Sequence, residues 1–186
     1  MKRFGVVAVV CFLFAVAGAQ AAPIPWSQLS GLHRDPPPWP YQMARLPDRI
    51  RQIGLEPLTA EGQVLHIHQH LDLYVNGKHV VLPAGVGIYD NSFITEVHTH
   101  DTSGIIHVES PAVRTFRLGQ LFAEWGVKLT ASCVGSYCGS VRWWVNGKAE
   151  RGDPGQLALR EHQEIVVTAG RPPARLPRTY AFPLGY

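Results

Sequence analysis

The chain has 186 residues, enough for one domain of ordinary size with flanking segments. Hydrophobic residues make up 46% and charged residues 17%, which excludes a mostly disordered chain and a coiled coil. The formal net charge of +3 is too weak to indicate nucleic-acid binding, and with only 2 methionines a methionine-lined copper(I) site is excluded. The unusual count is 9 histidines.

A targeting signal is predicted over residues 1–21. Two basic residues precede an apolar run from Val6 to Ala17, and Ala19-Gln20-Ala21 follows as a small-x-small cleavage site. The run is shorter than the ~20 residues of a membrane span, and no later segment indicates a stable span. We therefore expect a periplasmic or secreted protein that begins near Ala22 after cleavage.

Residues 22–62 are predicted to form a Pro-rich lead segment that lies across the domain surface through Trp26, Trp39 and Tyr41. A short helix is expected from Asp48 to Ile53. Residues 171–186 are expected to form an irregular tail, because they too are rich in proline.

The segment between them, residues 63–170, is predicted to be a β-rich domain. Apolar and polar residues alternate from Leu65 to Val75, and the turn sequence Asn76-Gly77 predicts a hairpin with Lys78 to Leu82 as its return strand. A second hairpin is predicted from Phe93 to His100 and from Ile105 to Ser110, around a four-residue loop.

One short helix and further strands are predicted after the second hairpin. Apolar residues from Leu118 to Trp125 have helical spacing, and Gly126 follows as a natural helix end. Strands are expected from Val127 to Ala131, from Val141 to Val145 and in a closing segment that ends with Ile165-Val166-Val167. The sequence thus predicts a mainly β (α+β) fold of antiparallel hairpins, and from Ile105 onward the pattern resembles a β-grasp arrangement.

The first predicted strand carries three histidines on one face. Because successive strand residues point to opposite faces, His66, His68 and His70 form a row beside Asp72. Neighbours in this row are ~6.6 Å apart at the backbone, so two of them can chelate one metal ion, whereas the outer pair is too far apart.

The second predicted hairpin has a definite register. A loop centred between Thr102 and Ser103 places His98 opposite His107, His100 opposite Ile105 and Glu96 opposite Glu109, while Val97, Ile106 and Val108 face the core. Neutral imidazole is a common ligand of zinc and copper(II), so the expected cofactor is a divalent transition metal ion. The predicted metal ligands are His66, His68, His70, His98, His100, His107 and Glu109.

The remaining polar residues receive more local roles. His79 lies near the tip of the first hairpin and is expected to stay outside the cluster, while His33 and His162 are expected to be structural or exposed. Asp101 is expected to cap backbone groups of its turn. Asp72 has two open interpretations, as an orienting partner of an imidazole or as a solvated side chain.

Two cysteines remain after signal cleavage, Cys133 and Cys138. An even pair in an oxidising compartment favours a disulfide bond. A thiolate pair for a soft metal or for redox exchange is the alternative.

The histidine motifs HIHQHLD (His66 to Asp72), HTHD (His98 to Asp101) and HVE (His107 to Glu109) resemble those of an exported bacterial family without established activity. The resemblance covers about residues 63–170. It implies an exported protein linked to a metal, and nothing more specific.

Three functions fit the sequence. The first is a periplasmic protein that sequesters or delivers copper or zinc, with a possible protein partner. The second is a metalloenzyme for hydrolysis, hydration or oxygen chemistry, in which three histidines hold the metal and Glu109 or Glu96 acts as ligand or general base. The third is a metal-free β-grasp interaction module that uses Trp143, Trp144 and the lead segment.

Overall fold

The structure is a computed structural model that describes residues 25–186. The predicted signal peptide, residues 1–21, therefore lies outside the described residues. Within residues 25–186, no helix is long and apolar enough to cross a membrane.

Helices make up a small part of the described chain. Helix α1 spans Leu46–Ile50 and continues as a 3-10 turn over Arg51–Ile53, so the helix predicted from Asp48 begins two residues earlier than expected. Helix α2 spans Leu118–Trp125 as predicted. It ends because Gly126 adopts the left-handed conformation with φ of 88°, which glycine adopts without steric cost.

Eleven strands account for most of the regular structure within residues 25–186. In chain order they are β1 (Leu65–Val75), β2 (Lys78–Val80), β3 (Ile88–Tyr89), β4 (Phe93–Ile94), β5 (Val97–His98), β6 (Ile105–Ser110), β7 (Cys133–Val134), β8 (Tyr137–Cys138), β9 (Val141–Val145), β10 (Lys148–Glu150) and β11 (Gln163–Ala169).

Seven of these strands form one mixed sheet with the order β10-β9-β11-β1-β6-β5, and β2 also pairs with β1. Strands β1 and β11 are parallel, and the other pairs of this sheet are antiparallel. Buried apolar side chains of α2 and of one sheet face form a common core. The predicted mainly β (α+β) fold is confirmed. Strand β1 lies at the centre of this sheet, between β11 and β6.

The lead segment contributes to this core. Trp39 is 2% exposed, and its carbonyl oxygen accepts a hydrogen bond of 2.7 Å from the indole of Trp125 in α2. Leu46, Ile50 and Leu55 are buried in the same cluster. The expected contact of the lead segment through Trp39 is therefore present, and it lies in the core rather than at the surface.

Two predicted strands differ from the structure. The segment predicted from Phe93 to His100 is divided into β4 and β5, because the Thr95 hydroxyl donates to backbone carbonyls and Thr99 donates to the carbonyl of Pro83. These side-chain bonds compete with a continuous strand ladder. The segment from Val127 to Ala131 forms only an isolated bridge, between Leu129 and Val134.

Candidate metal centre

The ladder of the main sheet joins the two predicted histidine clusters. His68 of β1 lies opposite His107 of β6, and His107 lies opposite His98 of β5. The predicted pairing of His98 with His107 is confirmed. Because β1 and β6 are neighbours, the first-strand row and the second hairpin share one face of the sheet.

The opposite face of the same strands is apolar. Val97, Ile106 and Val108 are fully buried in the core, as the alternation predicted. The sheet therefore separates a hydrophobic face, which packs on α2, from a face that carries imidazoles.

His98 is fixed in both orientation and protonation state. Its Nδ1 lies 2.9 Å from the carbonyl oxygen of Thr95, and since a carbonyl only accepts, Nδ1 carries the proton. Burial, reinforced by the nearby charges of His100 and His107, lowers the pKa of His98 to about 3, although Glu109 acts in the opposite direction. The Nε2 lone pair of a neutral imidazole therefore faces the cluster.

Four side chains converge at this point, and we call them the primary set: His98, His100, His107 and Glu109. One ligand atom from each lies within 4.8 Å of the others. The Nε2 atoms of His98 and His100 are 3.3 Å apart. His100 reaches this position from a loop, because β5 ends at His98 and its ladder with β6 does not extend to the expected pair of His100 with Ile105.

Glu109 is a buried carboxylate among imidazoles. Its Oε1 lies 3.1 Å from Nδ1 of His107 and 3.3 Å from Nε2 of His66, and its Oε2 lies 3.8 Å from Nε2 of His98. Burial acts to raise the pKa of Glu109, but the hydrogen bond from His107 and the neighbouring histidines outweigh it, so this pKa is lowered. Oε2 has no hydrogen-bond partner among the described residues.

A second group shares Glu109 with the first, and we call it the flanking set: His66, His68 and Glu109. Their ligand atoms also lie within 4.8 Å of one another. Burial, together with the charges of His107 and His66, lowers the pKa of His68 to about 4. His66 is more open to solvent, with 41% of its side chain exposed.

His70 points away from both sets. Its Nδ1 lies 2.8 Å from Oε2 of Glu164 on β11, and its Nε2 lies 2.9 Å from the carbonyl oxygen of Ser103. Both ring nitrogens thus face oxygen acceptors. Burial acts to lower the pKa of His70, but Glu164 and Asp72 outweigh it, so this pKa is raised.

His70, Asp72 and Glu164 form a separate group. One ligand atom from each of the three lies within 4.8 Å of the others. Gly104 closes it on one side, since a Cβ there would lie 2.8 Å from Nε2 of His70. His70 was predicted as a metal ligand together with His66 and His68. The structure instead pairs it with a carboxylate of a strand that is distant in sequence.

Glu96 does not join the cluster, although it was considered as a ligand or general base. Its carboxylate forms an ion pair with Arg114 and accepts a hydrogen bond of 2.9 Å from the backbone N–H of Glu56. These two partners hold the carboxylate away from the imidazoles, which sequence register alone could not indicate.

The polar residues outside the cluster have local partners. Nε2 of His79 lies 3.1 Å from Oδ1 of Asp72, so Asp72 contacts an imidazole rather than only solvent. His33 hydrogen-bonds the carbonyl oxygen of Pro40. The Asp101 side chain accepts a hydrogen bond from the Ser103 backbone, as the turn predicted.

Several residues of the site were missed by sequence reasoning. The tail segment, residues 171–186, packs on the histidine face: the ring of Tyr186 lies 4.8 Å from that of His68, and the ring of Tyr180 stacks on His70 at 3.7 Å. Glu61 of the lead segment lies 3.4 Å from Nε2 of His100. No local pattern marks these residues, because their contacts depend on long-range packing.

Cys133 and Cys138 form a disulfide bond between β7 and β8, as predicted. This bond excludes the alternative of a free thiolate pair. The candidate metal centre therefore has only nitrogen and oxygen atoms as potential ligands.

The chain matches no protein-family model, no curated protein and no solved structure. The resemblance of its motifs to an exported bacterial family therefore stays a prediction.

Proposed function

We propose that this protein is an exported, periplasmic protein that binds copper or zinc at the primary set, for sequestration or delivery. One observation carries the proposal. The Nε2 atoms of His98 and His100 are 3.3 Å apart, and two nitrogens bound at ~2.0–2.1 Å to one tetrahedral ion would be separated by about 3.3 Å.

A second feature supports a cation at this position. The lone pair of His98 faces Oε2 of Glu109 across 3.8 Å, and this buried oxygen has no hydrogen-bond partner among the described residues. Both atoms are acceptors, so neither can satisfy the other. A metal ion between them would satisfy both, and the hydrogen bond from His98 to Thr95 is the kind of support that orients metal-binding histidines.

The ligand chemistry supports zinc or copper(II). The primary set combines three imidazoles with one carboxylate, and nitrogen-rich ligation suits these borderline ions. Export fits the signal-like sequence of residues 1–21 and the disulfide bond, which is typical of an oxidising compartment.

Binding is favoured over catalysis by the partners of the two candidate acidic residues. Glu96 is held by Arg114, and Glu109 belongs to the ligand set, so neither is placed as a free general base. The interaction-module alternative is weakened because Trp143 is 8% exposed and its indole donates to the carbonyl of Gly152.

Calorimetric titration of copper(II) and zinc into the untagged protein tests the proposal. His98→Ala and His107→Ala should each weaken affinity at least about tenfold, because even losses outside the ligand shell cost 10–100-fold. His79→Ala is the matched control and should bind like the parent. Equal losses in all three variants would indicate a diffuse histidine surface, and unchanged affinity in the first two would refute the proposed centre.

A further inference from the structure

Glu109 lies between two sets of histidines. Its Oε1 accepts a hydrogen bond of 3.1 Å from Nδ1 of His107. Oε1 is 3.3 Å from Nε2 of His66 in the flanking set, while Oε2 is 3.8 Å from Nε2 of His98 in the primary set. The side chain is 2% exposed, and Oε2 has no hydrogen-bond partner among the described residues. A carboxylate in this position can bind two cations at once, one through each oxygen.

The flanking set has its own convergence of ligands. One ligand atom from each of His66, His68 and Glu109 lies within 4.8 Å of the others, which is close enough for one ion to bind between them. His68 is 5% exposed, so its imidazole is held within this convergence rather than free in solvent.

The arrangement of rings places the two sets side by side. The ring centroid of His68 lies 4.7 Å from that of His107, and the two residues are direct partners across β1 and β6. Ions held on either side of Glu109 would therefore be neighbours. Two-metal sites in proteins have separations of about 3.5–4 Å, which a bridging carboxylate can span.

We propose that the cluster is a binuclear centre in which Glu109 bridges two divalent transition metal ions, the first bound by the other residues of the primary set and the second by His66 and His68. The inference rests on the proposed function. It extends that function by a second metal position that differs from the first in its number of protein ligands.

The two metal positions differ in the number of protein ligands and therefore in whether a coordination position stays open. The primary set supplies four protein ligands, which complete a tetrahedral shell. The flanking set supplies three, so its ion keeps an open coordination position for water or another small oxygen donor. His66 borders this position and is 41% exposed, so the open position is reached from solvent.

Copper(II) titration of the full, untagged chain, followed by metal analysis and electron paramagnetic resonance, tests the inference. The first equivalent should give the signal of an isolated ion. The second should reduce that signal and add a half-field transition, because two ions bridged by one carboxylate interact magnetically. The parent should retain both equivalents after gel filtration.

The double variant His66→Ala/His68→Ala should bind one equivalent with an isolated signal. His66→Gln alone changes a solvent-exposed side chain and repeats the test with little effect on folding. His33→Ala is the control, because the His33 side chain hydrogen-bonds the carbonyl of Pro40 and belongs to neither ligand set. Glu109→Gln should abolish the half-field transition.

The outcomes separate this inference from the proposed function. One equivalent in the parent, unchanged by His66→Gln, would overturn the second position and leave the primary site intact. Two equivalents without magnetic interaction would overturn the bridge. Absence of binding in the parent would refute the proposed function itself.

Discussion

The lone pair on Nε2 of His98 faces the proposed metal centre, because the other ring nitrogen, Nδ1, carries the proton. The carbonyl oxygen of Thr95 accepts a hydrogen bond of 2.9 Å from Nδ1 of His98. The His98 side chain is 0% exposed. The residue that breaks the predicted strand thus also sets the tautomer of a proposed ligand. Sequence alternation predicted the face on which His98 lies, but not this partner.

The stability of the metal-free protein should fall in acid because His98 and His68 stay neutral when folded. Their pKa values are lowered to about 3 and about 4, mainly by burial, whereas the unfolded residues take up protons near pH 6.5. Their contribution is therefore present above pH 6.5 and is lost as the pH falls toward these values.

Urea unfolding of the parent and of His98→Asn, in chelator, measures this effect. Between pH 6.5 and 4.5 the parent should lose about 1.4 kcal/mol per pH unit relative to the variant, the equivalent of one proton. His33→Asn should follow the parent. Parallel curves for the parent and His98→Asn would show that His98 is protonated in the folded state.

Strand β1 has a buried polar residue on the face that packs in the core. Its polar face carries the imidazoles, yet its other face contains a polar residue, Gln69, which is 0% exposed. Gln69 lies between Ile106 of β6 and Gln163 of β11. Neither atom of its amide has a hydrogen-bond partner among the described residues.

Gln69→Met should raise the free energy of unfolding. Methionine has a similar volume, and an unsatisfied buried polar group costs about 1–3 kcal/mol, which the substitution removes. Thermal and urea denaturation would measure the gain. Gln63→Met changes an exposed residue nearby and should have an effect within about 0.5 kcal/mol of zero. A destabilised Gln69→Met would mean that the amide has a partner.

Helix α2 carries a buried carboxyl, Glu124, which is 0% exposed. Burial, with a further contribution from the charge of Glu96, raises its pKa well above the usual range. The folded protein therefore keeps this proton at a pH where the unfolded chain has lost it. The stability linked to Glu124 is complete below the unfolded pKa and is lost as the pH rises toward the folded pKa.

Glu124→Gln should remove this loss. Between pH 6.5 and 8.5 the variant should gain up to about 1.4 kcal/mol per pH unit relative to the parent, until the folded carboxyl ionises. Urea unfolding across that range checks it, with exposed Glu150→Gln as the control. A constant difference between parent and Glu124→Gln would show that the carboxyl is already ionised when folded.

Elements that depend on local residue spacing and loop length could be predicted from the sequence. Elements that depend on contacts between distant parts of the chain could not. Helix α2 and the register of His98 with His107 follow from spacing and loop length. The split near Thr95 could not be predicted, because its cause is a loop that contacts it from elsewhere in the chain. Similarly, Glu164 reaches His70 through the parallel pairing of β1 with β11, which sequence alternation does not determine.

At the scale of the molecule, the two flanking segments pack in different places. The lead segment enters the core beside α2 through Trp39, whereas the tail segment lies on the histidine face. Neither placement is visible in local periodicity, since both segments are rich in proline and lack regular structure over most of their length. The sheet carries most of the proposed ligands, and the tail segment covers part of them.

Tyr186→Ala should therefore speed the release of bound metal. Its ring lies 4.8 Å from that of His68 and 5.5 Å from that of His107, which shields this side of the cluster. Aromatic contacts of this kind contribute about 0.5–1.5 kcal/mol, so transfer of zinc to a chelator should accelerate roughly two- to tenfold. The amount of zinc bound should not change, because Tyr186 is not in either ligand set.

Leu184→Ala is the matched control, since Leu184 lies in the same segment and is fully exposed. Equal release rates for the parent and Tyr186→Ala would show that the tail segment does not limit access to the metal, while equal acceleration in both variants would indicate a general loosening of the segment.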